Sequence, residues 1–481
     1  MPKTTDNVGY TFVSLEHLLV GTTVRQLRPR GDTFDSALLA FRQADYDTTI
    51  QRLAGNGDVK ASLLKARALI RLGLFDLAVG EAKSIQLESI SSSEAAEALT
   101  LLSLAQIALR TTNSVDDQLT AGRTYACSSG SIVVEAEVEF ATAFYFYVGG
   151  SLECASRALY SLLSLASNES PWRSISATTH SLEEARARGY DLLGHIAARE
   201  NRFAEQANFI YLAFAELDRV ETPDHYIESQ MLSNLAIIAA DRDVEGVYEY
   251  ARDRVAIMNF PEACREQEFE IRRKIGLCAS MRGDHIGALR EFRRSSEIAP
   301  SRASKIKALI DRSSLAYELN ELVFAREESD FALELTRQVD WSGVSSAEIF
   351  ALLSMAENLA VRDSVEARKL LNLFGECKKK LNPFQSDATD LGFTGRESQA
   401  DALISRSEGN VERAVRSNLD AIDVFKRVGY VGRAATVAVE IFELTGVDSY
   451  LEFAAAYAKK LPQSHLARRV DGHLGASLLT A

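Results

Sequence analysis

The polar side chains that could do chemistry in this sequence fall into two groups. Arg188, Asp191, His195 and Arg199 follow one another at intervals of three and four, which puts them on one face of a helix. Glu137, Asn234, Arg273 and Lys307 hold similar positions in neighbouring helices. A row of this kind can grip a peptide backbone or a carboxylate through charge-assisted hydrogen bonds; the alternative is a solvated face with pairs inside each helix. Phe140, Phe144 and Tyr147 share a face of the run EFATAFYFYVGG and would set an apolar pocket beside the row, although an aromatic-rich helix is more often core. The second group is a basic band. Residues 263–312 carry 12 basic and 7 acidic side chains, a net of +5 in a chain of net charge −13. Arg290, Arg293, Arg294, Arg302 and Lys305 are its candidates for meeting an acidic or phosphorylated segment, against the plainer reading of a helix surface paired with Glu291 and Glu297.

Neither group has the spacing of a reaction centre. The seven histidines form no HExxH and no metal pair at i and i+4, and GxSxG and a phosphate-cradling glycine loop are both absent from the sequence. No catalytic residue, metal or cofactor is expected on these grounds. The five cysteines, Cys127, Cys154, Cys264, Cys278 and Cys377, stand far apart without a CxxC pair, which suits a reducing cytoplasm and buried single thiols. The N-terminus reads neither as a signal peptide nor as a membrane span.

The elements that must position these side chains follow one recurring phrase: an apolar helix, a tight turn, a large residue soon after, then a small residue. The turn falls near Tyr46, Gly73, Gly150, Asn201, Gly283, Asn320, Arg362, Gly409 and Gly446, with Asn113 and Arg242 filling the gaps. Asn201, Arg242 and Gly283 are each 41 residues apart. Pro171, Pro223, Pro261, Pro300 and Pro383 fall between the helix pairs, and Pro462 after the last, where a residue without an amide donor ends a helix harmlessly. The pattern predicts an all-α, right-handed superhelix of about eleven antiparallel pairs. Residues 1–31 form an N-terminal cap or arm, 32–463 a continuous array with long loops near 166–181 and 380–397, and 464–481 a capping helix or tail. In that tail Leu466, Val470 and Leu474 have helical spacing and can cover the last pair or mediate self-association as a homodimer.

The clearest unit runs from Phe269 to Pro300, with Gly276 and Ala279 in its first helix, Gly283 at the turn, Ala288 and Phe292 in the second helix, and Pro300 at the end. It resembles the tetratricopeptide repeat, and the chain's units are longer than that family's period of about 34 residues. The longer repeats and the phrase FKRVGYVGRAATVAVEIFELTG are similar to the divergent arrays in the sensor part of bacterial LuxR-type regulators. In those regulators the array is joined to an ATPase module or a helix-turn-helix; this sequence has no GxxxxGK[ST] loop. The resemblance implies a non-catalytic, cytoplasmic sensor or adaptor that binds a peptide or protein segment on its inner surface. The net charge of −13 argues against direct contact with nucleic acid, and the alternatives are a transcriptional regulator contacting nucleic acid through the 263–312 band, or an enzyme with a non-local site.

Overall fold

The computed structural model describes residues 34–165, 181–220, 223–241, 244–258, 260–342, 346–380, 387–461 and 464–480. The N-terminal arm, most of the 166–181 loop, the expected turn at Arg242, and Pro171, Pro383 and Pro462 lie outside them. The described residues fold into α-helices without strands and pack as two compact units. The first unit reaches to Asn234 and takes in the segment ending at Cys264; the second holds Leu235–Met258 and everything from Arg265.

The first unit contains α1 (Phe34–Arg42), α2 (Tyr46–Arg52), α3 (Val59–Arg71), α4 (Phe75–Lys83), α5 (Ser92–Ala108), α6 (Val115–Ser129), α7 (Ile132–Val148), α8 (Leu152–Ser164), α9 (Leu182–Arg199), α10 (Phe203–Leu217) and the first half of α11 (His225–Asp241). Each odd-numbered helix packs against the even-numbered helix after it, from α1 on α2 to α9 on α10, and also against the next odd-numbered one, α3 on α5, α5 on α7 and α7 on α9. The first helices of successive pairs therefore form an inner layer. They are buried on more than one side: α5 and α7 bury residues in nearly every position of their middle turns.

The second unit contains α12 (Val247–Ile257), α13 (Arg265–Met281), α14 (His285–Ile298), α15 (Arg302–Glu318), α16 (Leu322–Arg337), α17 (Ser346–Leu359), α18 (Ser364–Lys380), α19 (Asp387–Ser407), α20 (Val411–Arg427), α21 (Val431–Thr445), α22 (Asp448–Ala458) and α23 (His465–Thr480). The same two kinds of packing recur, with α13 on α14, α15 on α16, α17 on α18 and α19 on α20, and with α13, α15, α17 and α19 side by side. The close approach expected within the clearest unit is present. A Cβ added at Gly276 would stand 2.6 Å from the ring of Phe292, so only glycine lets α13 and α14 meet there.

One backbone device makes the turn inside the pairs. Ala44, Gly73, Arg110, Gly150, Asn201, Gly283, Asn320 and Gly409 adopt φ between 58° and 80°. The amide of the residue after each bonds to the carbonyl five residues back at 2.8–2.9 Å, as Asp284 does to Ala279. This left-handed closure satisfies the last carbonyls of the first helix and reverses the chain. The pair α5/α6 turns at Arg110, three residues before the expected Asn113.

Three expectations are corrected. Residues 387–397, expected as loop, form the first half of α19: Gly395 is a packing glycine, since a Cβ there would stand 2.8 Å from the Phe425 ring and 3.0 Å from Val424. In the C-terminal helix Leu466 and Val470 join the core with Tyr457 and Leu461, but Leu474 is exposed. Of the free cysteines, Cys264, Cys278 and Cys377 are buried, whereas Cys127 is exposed and Cys154 partly so.

Candidate functional site

In the first unit the inner layer carries a chain of charges that begins with Arg67 on α3. Its guanidinium donates to Glu97 of α5 at 3.0 Å and to Glu137 of α7 at 3.2 Å. Arg188 of α9 completes the row by donating to the second oxygen of Glu137. Arg71 reaches Asp224 at 3.4 Å, and Glu184 of α9 accepts both from Arg42 at 3.2 Å and from the Asp224 amide at 2.9 Å. Burial works against charge on Arg67 and Arg71, but Glu137 and Glu97 at the first and Asp224 at the second outweigh it, so both pKa values are raised. At Arg188 burial wins and the pKa is lowered, yet a guanidinium stays protonated in a protein.

Aromatic rings form the floor of this row. Arg188 lies 4.3 Å above the Phe140 ring, Arg199 4.0 Å above Tyr147 and Arg71 4.5 Å above Tyr226, distances at which a cation is attracted to a ring face. Phe140 and Phe144 stack at 6.4 Å. On α9 and α11, Asn234 donates to Asp191 at 2.9 Å and stands 3.3 Å from the His195 Nε2 atom. The predicted row is thus brought together, but as a buried network and not as a solvated face. Glu137, Phe140, Phe144, Tyr147, Asp191, His195 and Asn234 are all buried. The space left between Arg71, Phe140, Arg188, Asp191, Tyr226 and Gln230 is about 20 Å³. That admits about one water, far less than a peptide.

The second unit repeats the scheme. Arg273 of α13 donates to Asp311 of α15 at 3.0 Å and to Glu270 at 3.2 Å, and Lys307 bonds to Glu270 from the other side. Burial would raise the Glu270 carboxyl, but Lys307 and Arg273 hold it far below the usual carboxylate range; burial lifts Asp311, with Arg273 opposing. Further along, Arg396 of α19 donates to Glu357 of α17 at 2.8 Å, and Glu443 of α21 takes Arg406, Arg469 and His473 at 2.9, 2.8 and 3.1 Å. The candidates Arg273 and Lys307 are therefore rungs of an ion ladder between first helices.

Sequence reasoning missed most of the ladder: Arg42, Arg67, Glu97, Glu184, Asp224, Glu357, Arg396 and Glu443. The signal that would have found them is a charge inside an otherwise apolar run, as Arg67 is in LLKARALIR and Glu97 in EAAEALTLL. Such a residue must pair, because an unpaired buried charge costs several kcal/mol, about 3–5 when one partner of a buried pair is removed.

The basic band divides in two. Lys305 is tied to the Ser296 carbonyl and hydroxyl at 2.7 and 2.8 Å, and Arg302 donates to the Gln338 carbonyl at 3.2 Å. Arg290, Arg293 and Arg294 instead stand on the outer face of α14 with side chains 67%, 76% and 52% exposed, beside Glu291 and Glu297. Ile286 and Leu289 share that face, exposed at 84% and 46%. No described helix is long and apolar enough to cross a membrane.

No protein-family model matches the sequence. No curated protein matches it either. Among solved structures, yeast Tom70 is similar over 91% of this chain and 98% of its own, at 16% sequence identity and a TM-score of 0.40.

Proposed function

We propose that the chain is a non-catalytic, tetratricopeptide-like adaptor that takes an acidic protein segment on the outer face of α14. The observation that supports this is the joint exposure of Ile286 and Leu289 with Arg290, Arg293 and Arg294. Two large aliphatic side chains held in water beside three cations, with Glu297 as the exposed acid on that face, suit a partner that brings apolar anchors flanked by Asp or Glu. The inner surface, the first choice on sequence grounds, is filled by the chain's own paired side chains, so a segment entering there must displace buried ion pairs. The right-handed winding, the count of about eleven pairs and a cytoplasmic place belong to this reading. So does an origin among bacterial signal-responsive regulators, which rests on the wording of the C-terminal repeats.

The test is selection of peptides from a random library by the full chain. The expected winners carry two or more acidic residues next to Leu, Ile or Phe, and the triple variant Arg290→Glu, Arg293→Glu, Arg294→Glu should lose them about 10-fold or more, since each rim charge contributes up to about 1 kcal/mol. Winners without acidic enrichment, or unchanged binding by the triple variant, would remove this face from consideration.

A further inference from the structure

Within the second unit, the ends of α13 and α15 and the helices α21 to α23 border a cavity of about 170 Å³ that opens to solvent. Met281, Glu318, Gly432, Tyr457, Leu466 and Arg469 are on its wall. Gly432 makes the room: a Cβ there would stand 2.9 Å from the Tyr457 hydroxyl and 3.1 Å from the Met281 methyl. An apolar cavity of about 150 Å³ accepts a benzene-sized guest, so this one fits a ligand of about six to eight heavy atoms.

The charges on the wall are unequal. Arg469 gives both its bonds, at 2.8 and 2.7 Å, to Glu443, a carboxylate it shares with Arg406 and His473, so its donors are committed outside the cavity's own acid. Glu318 accepts one hydrogen bond, from the Ser280 hydroxyl at 3.1 Å, and among the described residues no Lys, Arg or His forms an ion pair with it. Burial pushes its carboxyl up, and Arg468 opposes only at a distance. A half-buried carboxylate with a neutral donor is stabilised by an arriving cation, which offsets its lost hydration. Met281, Leu461 and Leu466 supply an apolar wall for the rest of the guest, the usual mixture in a small-molecule site.

We propose that this cavity binds a compact organic cation, an ammonium group on a short apolar stem, with Glu318 as its counter-charge. The face of α14 is not part of it, so the two readings stand or fall separately.

The experiment is a titration of the full chain with n-butylammonium, n-butanol and butyrate, followed by ligand-observed NMR and calorimetry. Butylammonium should bind with a Kd of about 1 mM or tighter, n-butanol at least about 10-fold more weakly, and butyrate not at all. Glu318→Gln keeps an acceptor for Ser280 and should retain the helical circular dichroism of the parent while losing butylammonium about 10-fold or more. Equal affinity for butanol and butylammonium, an unaffected Glu318→Gln, or no butylammonium binding would each overturn the proposal. A lysine side chain presents the same chemistry: if Nα-acetyl-lysine amide binds as tightly as butylammonium the cation comes from a peptide, and if it binds more weakly the ligand is a free amine.

Discussion

At the residue scale, Glu137 holds the first unit's inner layer together. Its two oxygens accept from Arg67 and Arg188, so Glu137→Gln leaves one buried guanidinium charge uncompensated, at Arg188, while Arg67 keeps Glu97. We expect it to destabilise the chain by about 3–5 kcal/mol, measured as a lower urea midpoint with the far-ultraviolet spectrum of the remaining folded protein unchanged. Arg188→Glu should be at least as damaging, because it sets a second carboxylate against Glu137; as a probe of partner capture it would report unfolding. Glu440 is a different case. It is 6% exposed, its Oε2 has no hydrogen-bond partner, and burial pushes its carboxyl up to about 7 despite Arg469 and Arg406. An acid whose folded pKa lies above its unfolded value binds its proton more tightly when folded. Its stabilising effect is therefore complete below about pH 4.3 and is lost as pH rises towards 7. Glu440→Gln should flatten that part of the stability profile and raise stability at pH 8 by about 2–3 kcal/mol, whereas an unchanged profile would assign the pH dependence to other groups.

At the element scale, the helix pairs were legible because their signals are local. Gly283 with Asp284, an N-cap that accepts from the Gly287 amide at 2.9 Å, ends one helix and starts the next within two residues. The sequence was less clear where a glycine has two meanings. Gly276 and Gly395 sit inside helices because a ring occupies the space of a Cβ, and Gly395 read as a loop residue because its partner, Phe425, is 30 positions away. Gly276→Ala must push the Phe292 ring and should cost about 1–3 kcal/mol, read from thermal unfolding of the full chain. Arg110 was invisible as a turn residue because non-glycine residues rarely take φ near 59°. Arg110→Gly should relieve that conformation and raise stability by up to about 1 kcal/mol; a loss of stability would mean the Arg110 side chain contributes more than its backbone costs.

At the scale of the whole molecule, each of the two units pairs charges between its first helices. Periodicity identifies which residues share a face, as with Arg188, Asp191, His195 and Arg199, but says nothing of what covers that face. Closure depends on partners remote in sequence, Glu184 on Arg42 and Asp224 on Arg71, and that is why a row read as a groove is a buried network. The outer face of α14 was hidden for the opposite reason, since composition marks a basic band without separating Arg290 from the backbone-tied Lys305. Duplex DNA should not bind even at low salt, where phosphate contacts are strongest, because the chain's net charge of −13 opposes a polyanion far larger than a short acidic segment; a gel-shift titration checks this. Whether α14 is the docking face is decided by hydrogen–deuterium exchange of the full chain with and without a library-selected acidic peptide. Protection concentrated in residues 285–298 is the predicted result; protection of α7 and α9 with α14 unchanged would contradict it and return the binding site to the inner surface.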